Sequence, residues 1–410
     1  MAQNFNLTDA SALFKLKYEK LSENVYNSAN VLLARCKKSY KFVGKKLVIA
    51  IPQSFSGGVG SGSLPQANKA IYEDAQIESK KMYAVVEVDR ETIKAAMSDE
   101  GAFVRATKEV VKKGVESFMR NLSRTLFADG SGKLGTIDSS GTFAGSAAAP
   151  TVPLKSDDYK EANLEEGDLI NIGTGNGSST SLFEITAVDT TNKKLTLARL
   201  TGTQDFGSTY SGGDQEIFMQ GSEAKDPEGL DGVVKKSDSR TASYSIDHGR
   251  RWDSEIKDAG GAAISTDLLN EMMLKVEKKS GKSPNLIVCS YKQYEKILNL
   301  LEDQKRYEVK TRAGLKTKSG ADISFSGVEF MSSSGPVGIF PERFVEDDRI
   351  YFLNDNHIHI YHRPDFGWFD DDGTVFLRKA DSDAYEARYG GYLNTYINPC
   401  FHGVLHGLST

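Results

Sequence analysis

Histidines gather in the segment NDNHIHIYH, at His357, His359 and His362. On a strand His357 and His359 share a face, and two imidazoles so placed could hold a divalent metal, with Asp355 as a weak third ligand. That set is short and no cysteine lies nearby, so histidines at a surface or subunit contact are the stronger reading. HGVLH, at His402 to His406, has the two-histidine spacing of a zinc-protease helix. It lacks the glutamate beside the first histidine and lies in a strand-like, glycine-flanked tail. Asp365-Phe366-Gly367 copies the magnesium triplet of kinases without the rest of that site. Asp370, Asp371 and Asp372 run consecutively before Gly373, whereas a calcium loop alternates its acids.

The last candidate is the glycine run SFSGGVGSGSLP, Ser54 to Pro65. A nucleotide-phosphate loop needs GxxxxGK and then Ser or Thr, because the lysine reaches the terminal phosphates. Here Ser63 follows Gly62, no lysine comes before Lys69, and Pro65 follows where a helix should begin. The run is instead the pliable tip of a hairpin, with Ser56, Gly57, Gly58, Gly60 and Gly62 at its apex. No catalytic residue, cofactor or metal is expected, and the chain reads as a non-enzyme.

Several elements must carry that tip. Before it, YKFVGKKLVIAI (Tyr40 to Ile51) has strand character. After it, IESKKMYAVVEV (Ile77 to Val88) does too, which predicts a long projecting hairpin between them. Arg90 to Met97 forms a short helix. Then Phe103, Val104, Thr107, Val110, Val111, Val115, Phe118, Leu122 and Leu126 recur every three or four residues, opposite Arg105, Lys108, Lys112, Lys113, Glu116, Arg120 and Arg124. This amphipathic helix ends at Asp129-Gly130. At about 27 residues it would measure ~40 Å, too long for one small domain.

Ser131 to Pro153, rich in Gly, Ser, Thr and Ala, reads as a loop. EEGDLINIG, SLFEITAVD and KKLTLARL then alternate as strands of a small inserted barrel or sandwich. A helix from Asp267 to Lys279, capped at Ser265-Thr266 and stopped at Gly281, precedes a buried strand at Leu286 to Cys289 and a helix at Tyr291 to Glu302. Further strands lie at Val328 to Met331, Ile350 to Leu353, Ile358 to Tyr361 and in the tail from Val375. The class is α+β.

The 410 residues, 39% hydrophobic and 26% charged, can bury a core. A net charge of −5 argues against duplex DNA as the main partner. Residues 1–46 depart from that balance. Lys15, Lys17, Lys20, Arg35, Lys37, Lys38, Lys41, Lys45 and Lys46 face only Asp9, Glu19 and Glu23, which suits nucleic acid or an acidic neighbouring subunit. Cys36, Cys289 and Cys400 make no disulfide framework. No signal peptide and no apolar run near ~20 residues is present, so a soluble, cytoplasmically made protein without membrane contact is expected.

The order of these parts resembles the major capsid proteins of tailed bacteriophages. The echoes are KKMYAVVEVDRETIKAAMSDEGAFVRATKEVVKKGVESFMRNLSRTLFADGSG, EGLDGVV, LLNEMMLKVEKKSGKSPNLIVCSYKQYEKIL and VFLRKADSDAYEARYGGYLNTYINPCFHGVL. The resemblance implies an N-terminal arm (1–39), an extended hairpin loop (40–90) and a peripheral domain with a spine helix (91–162, returning at 223–237). It also implies an axial domain (238–361) and a shared C-terminal β segment (362–410), while the inserted all-β domain (163–222) lies outside the resemblance.

Phe103, Val104, Val111, Val115, Phe118 and Leu122 would form the packed side of the spine. The hairpin tip would reach a neighbouring subunit. Hexamers and pentamers would tile an icosahedral shell around double-stranded DNA, in the host cytoplasm and then in the virion. A separate scaffolding protein, a portal, a decoration protein and non-specific contact with the packaged DNA are the implied partners. The alternatives are an encapsulin-like nanocompartment shell and, in another class, a metal-dependent hydrolase using His357 and His359. A fibre or adhesin would fit the strands but not the long helix.

Overall fold

The computed structural model describes residues 31–39, 42, 44–54, 71–90, 100–156, 159–173, 181–208, 212–234, 242–249, 252–304, 313–316, 322–325, 328–332, 335–363, 367–369, 375, 377–379 and 382–410. The glycine tip, most of the short helix at Arg90 to Met97, Asp365-Phe366 and Asp370 to Asp372 lie outside them.

A short helix α1 (Val31–Arg35) leads into strand β1 (Lys37–Ser39). The ribbon follows, β2 (Lys46–Ser54) antiparallel to β3 (Ile71–Glu78), with Lys46 opposite Glu78 and Pro52 opposite Tyr72. The returning strand is thus Ile71–Glu78, not the expected Ile77 to Val88. The chain breaks at Ser79, and β4 (Lys80–Asp89) leaves the ribbon for another sheet. The spine helix α2 (Glu100–Phe127) has 28 residues and so spans about 42 Å.

Next comes an all-β unit: β5 (Lys133–Ile137), β6 (Ala144–Gly145), β7 (Pro150–Pro153), β8 (Leu169–Gly173), β9 (Leu182–Asp189), β10 (Lys194–Thr201) and β11 (Gln215–Met219). Their order is β5-β11-β8-β9-β10-β7-β6. The path closes on itself, because Ile137 bridges Leu154, Asp138 N–H donates to Pro153 O (3.0 Å) and Lys155 N–H donates to Thr136 O (2.9 Å). Inward-facing Ile170, Ile172, Phe183, Ile185, Leu195, Leu197 and Ile217 fill this small barrel. The unit begins at Lys133, so the segment 131–153 expected to be a loop, and the boundary at 163, are corrected. Its strands there are only two to five residues long, carry Gly, Ala and Pro, and are joined by Gly- and Ser-rich turns. That composition hides a strand whose pairing is supplied by distant partners.

A turn of helix α3 (Leu230–Val233) and a two-strand hairpin, β12 (Ala242–Ser243) with β13 (Ile246–Asp247), precede the axial part. That part holds β14 (Glu255–Asp258), α4 (Thr266–Ser280), β15 (Leu286–Cys289), α5 (Tyr291–Gln304), the hairpin β16 (Ala313–Lys316) with β17 (Asp322–Phe325), β18 (Val328–Ser332), β19 (Gly335–Pro341) and β20 (Ile350–Leu353). The predicted caps of α4 are in place: Ser265 Oγ accepts from Leu268 N–H, and Gly281 turns left-handed at φ 70°.

The chain ends in β21 (Ile358–His362), β22 (Gly367–Trp368), β23 (Leu377–Arg378), β24 (Ala384–Ile397) and β25 (Gly403–His406). Two sheets organise the whole. One orders β14-β25-β20-β15-β19-β18; the other orders β1-β21-β24-β22, with β4 and β23 also on the long β24. Among the described residues no helix is long and apolar enough to cross a membrane.

Side-chain size sets how closely the spine lies on its sheet. Gly114 faces Val86 of β4, and a Cβ at Gly114 would stand 2.4 Å from Val86 Cγ2. Ordinarily alanine in place of a helix-interior glycine stabilises by about 1 kcal/mol. Here overlap reverses the sign. Gly114→Ala should lower stability by about 1–3 kcal/mol in denaturant unfolding, and Val86→Ala in the same chain should relieve part of the loss. A more stable Gly114→Ala protein would refute the close approach.

Candidate assembly surface

The ribbon β2–β3 has two unlike faces because side chains alternate along a strand. Leu47, Ile49, Ile51, Ala75 and Ile77 point inward and pack on the main core. Val48 and Tyr72 point the other way and are 53% and 57% exposed. On β4 the same alternation buries Val86 and leaves Tyr83 and Val85 46% and 58% exposed. Large apolar groups therefore lie exposed on all three strands, β2, β3 and β4.

The root of the ribbon is bolted to the body by backbone groups. Tyr244 O accepts from Gln76 N–H (2.8 Å) and Glu78 O from Asn394 Nδ2 (2.6 Å), while Lys45 O accepts from Ser79 N–H (3.0 Å) to close the ribbon's own base. The Tyr244 hydroxyl accepts from Ile397 N–H at 3.2 Å, and its ring lies 5.6 Å from that of Tyr396. Tyr244 and Ser245 both hold positive φ (52° and 67°), a left-handed pair that costs roughly 1 kcal/mol or more per residue. The contacts on Tyr244 explain why such a turn persists. Spacing could not have revealed this residue, because its role depends on strands far off in sequence.

Beneath β4 and β24 runs the spine. Val115, Phe118 and Leu122 are buried as their spacing predicts, and Phe118 meets Tyr389 edge-on at 5.2 Å. Phe103, Val104 and Val111 belong to the same helix, but their side chains lie outside the described residues. Near its end Arg124 is buried and donates to Asp226 at 2.8 Å, while Asp226 also accepts from Ser222 Oγ at 2.6 Å. One turn earlier Arg120 pairs with Glu165 and, at 2.6 Å, with Asp168. Glu165 also meets Arg343 (3.1 Å), and Lys160 meets Glu346 (2.6 Å), which pairs with Arg349. Arg349 in turn reaches Asp231 in α3. The barrel is thereby tied to both the spine and the 342–349 loop of the axial sheet.

The histidines form no metal centre in this geometry. His357 is not on the strand with His359; it closes the 3-10 turn Asp355–His357, so the shared face expected for the pair is absent. Its ring stacks on Phe401 (3.6 Å between centroids), and Lys282 Nζ lies 3.3 Å from its Nε2. His359 stacks on Tyr361, and Asp355 is occupied by Arg35 and Asn285. Among the described residues no group of three His, Cys, Asp or Glu could hold a metal ion.

A family model described as the SU10 major capsid protein matches residues 174–372, just under half of the chain. The mixed α+β class expected from the sequence is the one observed. No curated protein matches the sequence.

Solved structures show looser likenesses. The capsid asymmetric unit of cyanophage A-1(L) is 10% identical, with TM-score 0.48, covering 100% of this chain and 95% of that one. Mycobacterium phage Bobi gives 9% identity and TM-score 0.42, covering 92% and 89%. The holo-SrpI encapsulin complex from Synechococcus elongatus PCC 7942 gives 10% and 0.41, covering 92% and 86%. With TM-scores below 0.5 these carry no weight beside the family match.

Two measurements probe how this chain is held together. Asp226→Ala would strand the buried Arg124 charge and cost about 3 kcal/mol, whereas Arg124→Met with Asp226→Leu should cost clearly less, both read by denaturant unfolding. His402 is fully buried, with Nδ1 accepting from Asn354 N–H (3.2 Å), and burial lowers its pKa from 6.5 to about 3. The unfolded chain therefore takes up this proton first. His402 contributes stability above pH 6.5 that is lost as pH falls towards 3. His402→Gln should flatten the fall of melting temperature over that window; an unchanged slope would contradict the assignment.

Proposed function

We propose that this chain is the major capsid protein that tiles as hexamers and pentamers into an icosahedral shell around double-stranded DNA. One observation carries the reading. The ribbon and the neighbouring β4 leave Val48, Tyr72, Tyr83 and Val85 exposed while their opposite faces are already spent on the chain's own core. A two-stranded ribbon has too little core to stand alone in water, so its wet apolar side calls for a second surface. Identical copies supply one, and a repeated contact of that kind closes a shell by symmetry.

On this reading the apex residues Ser56, Gly57, Gly58, Gly60 and Gly62 meet the adjoining subunit, and their glycines let the ribbon tilt. The parts divide into arm, extended loop, peripheral domain, inserted β domain, axial domain and shared C-terminal segment. The barrel faces outward, where a decoration protein would bind. A separate scaffolding protein and a portal complete the assembly in the host cytoplasm. The protein acts without catalysis. The encapsulin-like alternative differs in cargo: enzyme inside purified particles supports it, nucleic acid the proposal.

The assembly reading is tested by Val48→Glu with Tyr72→Glu, which adds charge to the open face and leaves the packed face intact. The expected result is a folded protein, with its melting temperature within a few degrees of the parent, that forms no shells by electron microscopy. Normal shells from this variant would sink the proposal.

A further inference from the structure

We propose that Lys37 and Lys282, anchored side by side on the 3-10 turn Asp355–His357, form a sequence-independent contact for nucleic-acid phosphates. The site is built from two distant parts of the chain. Lys37 begins β1, which runs parallel to β21 with Lys37 opposite His359. Its ammonium donates to Asn356 O at 2.9 Å. Lys282 follows the left-handed Gly281 that ends α4, and its ammonium lies 3.3 Å from His357 Nε2 and 5.3 Å from the Phe401 ring centre. Consecutive residues of one turn thus hold both cations.

Each lysine spends one N–H on a neutral acceptor, which leaves two for a ligand. Neither has an ion-pair partner among the described residues. Asp355, the carboxylate of the turn, is already shared by Arg35 (3.3 Å) and Asn285 (2.6 Å). Among the described residues, the positive charge here is therefore held in place without a carboxylate of its own. The local field agrees: burial first, then Lys282 and Lys37, lowers the His357 pKa to about 4, so the imidazole stays neutral and accepts from Lys282. Because both side chains are held beforehand, little rotamer freedom remains to be lost on binding.

The occupant follows from shape and chemistry. Along the sequence Lys37 is followed by Lys38, Lys41 and Lys45 before Lys46, which is spent on Glu78 (2.7 Å), and such a basic run suits a linear polyanion. Base recognition is disfavoured, since His357 covers one face of Phe401 at 3.6 Å where a base would otherwise stack. What remains is phosphate contact, which carries no sequence information.

The source of the nucleic acid rests on the shell reading, so binding and assembly are measured separately. Binding of a mixed-sequence DNA duplex to unassembled protein is followed against salt, for the parent, Lys37→Gln with Lys282→Gln, and the control Lys225→Gln with Lys292→Gln. Losing two phosphate contacts should weaken binding at least about tenfold near 0.1 M salt and reduce the slope of log K against log salt by about 2. The control, with the same change in net charge, should leave both unchanged. If the double variant unfolds early, Lys282→Gln alone should reduce the slope by about 1. Three results would each overturn the proposal: no DNA binding by the parent, equal losses in test and control variants, or normal DNA binding by a test variant that no longer forms shells. The last would make the turn a contact with an acidic neighbouring subunit. Shells that form normally from a variant weak in DNA binding support it, and absence of shells from the parent would count against the shell reading alone.

Discussion

The pairing of β4 with β24 is the constraint on which the other parts depend. Ten consecutive residues, Lys80 to Asp89, run antiparallel to the segment Leu393 to Ala384, so the early and late ends of the chain close one sheet. That sheet gives the spine helix its floor, fixes the root of the ribbon through Asn394 and Glu78, and sets Tyr83 and Val85 on an open face. Gly390 marks how tight the closure is, since a Cβ there would stand 2.1 Å from Met82 O. Bringing such distant segments together costs loop entropy before any contact rewards it, so this step belongs late in folding.

What could be read from the residues alone follows from how local each signal is. The spine helix and α4 were legible because periodicity, the Ser265 cap and the Gly281 stop all lie within a few residues of one another. The ribbon was legible as a ribbon, but its partner strand was misplaced. Ile71 to Glu78 reads as polar because Glu73, Asp74 and Gln76 interrupt it, while Lys80 to Val88 looks more like a strand and belongs to a different sheet. The first barrel strands were missed for a related reason: their pairing energy comes from residues far along the chain, not from their own composition.

The open face followed the same rule. Alternation predicts which side of β2 and β4 is apolar, but only the packed structure tells which apolar side stays wet. His357 was placed on a strand because NDNHIHIYH alternates from that residue onward. The 3-10 turn that claims it is set by Asn354, whose side chain accepts from Asn356 N–H. A single short cap thus decided between a paired-histidine face and the turn that gathers Lys37 and Lys282.

The all-β unit closes on itself where Ile137 meets Leu154. An open sheet of this size would present bare N–H and C=O rows, and copies crowded at fixed spacing would be prone to zip together through them. Closure removes those rows. Copies carrying this barrel can therefore be packed at very high local density without recruiting one another into fibres.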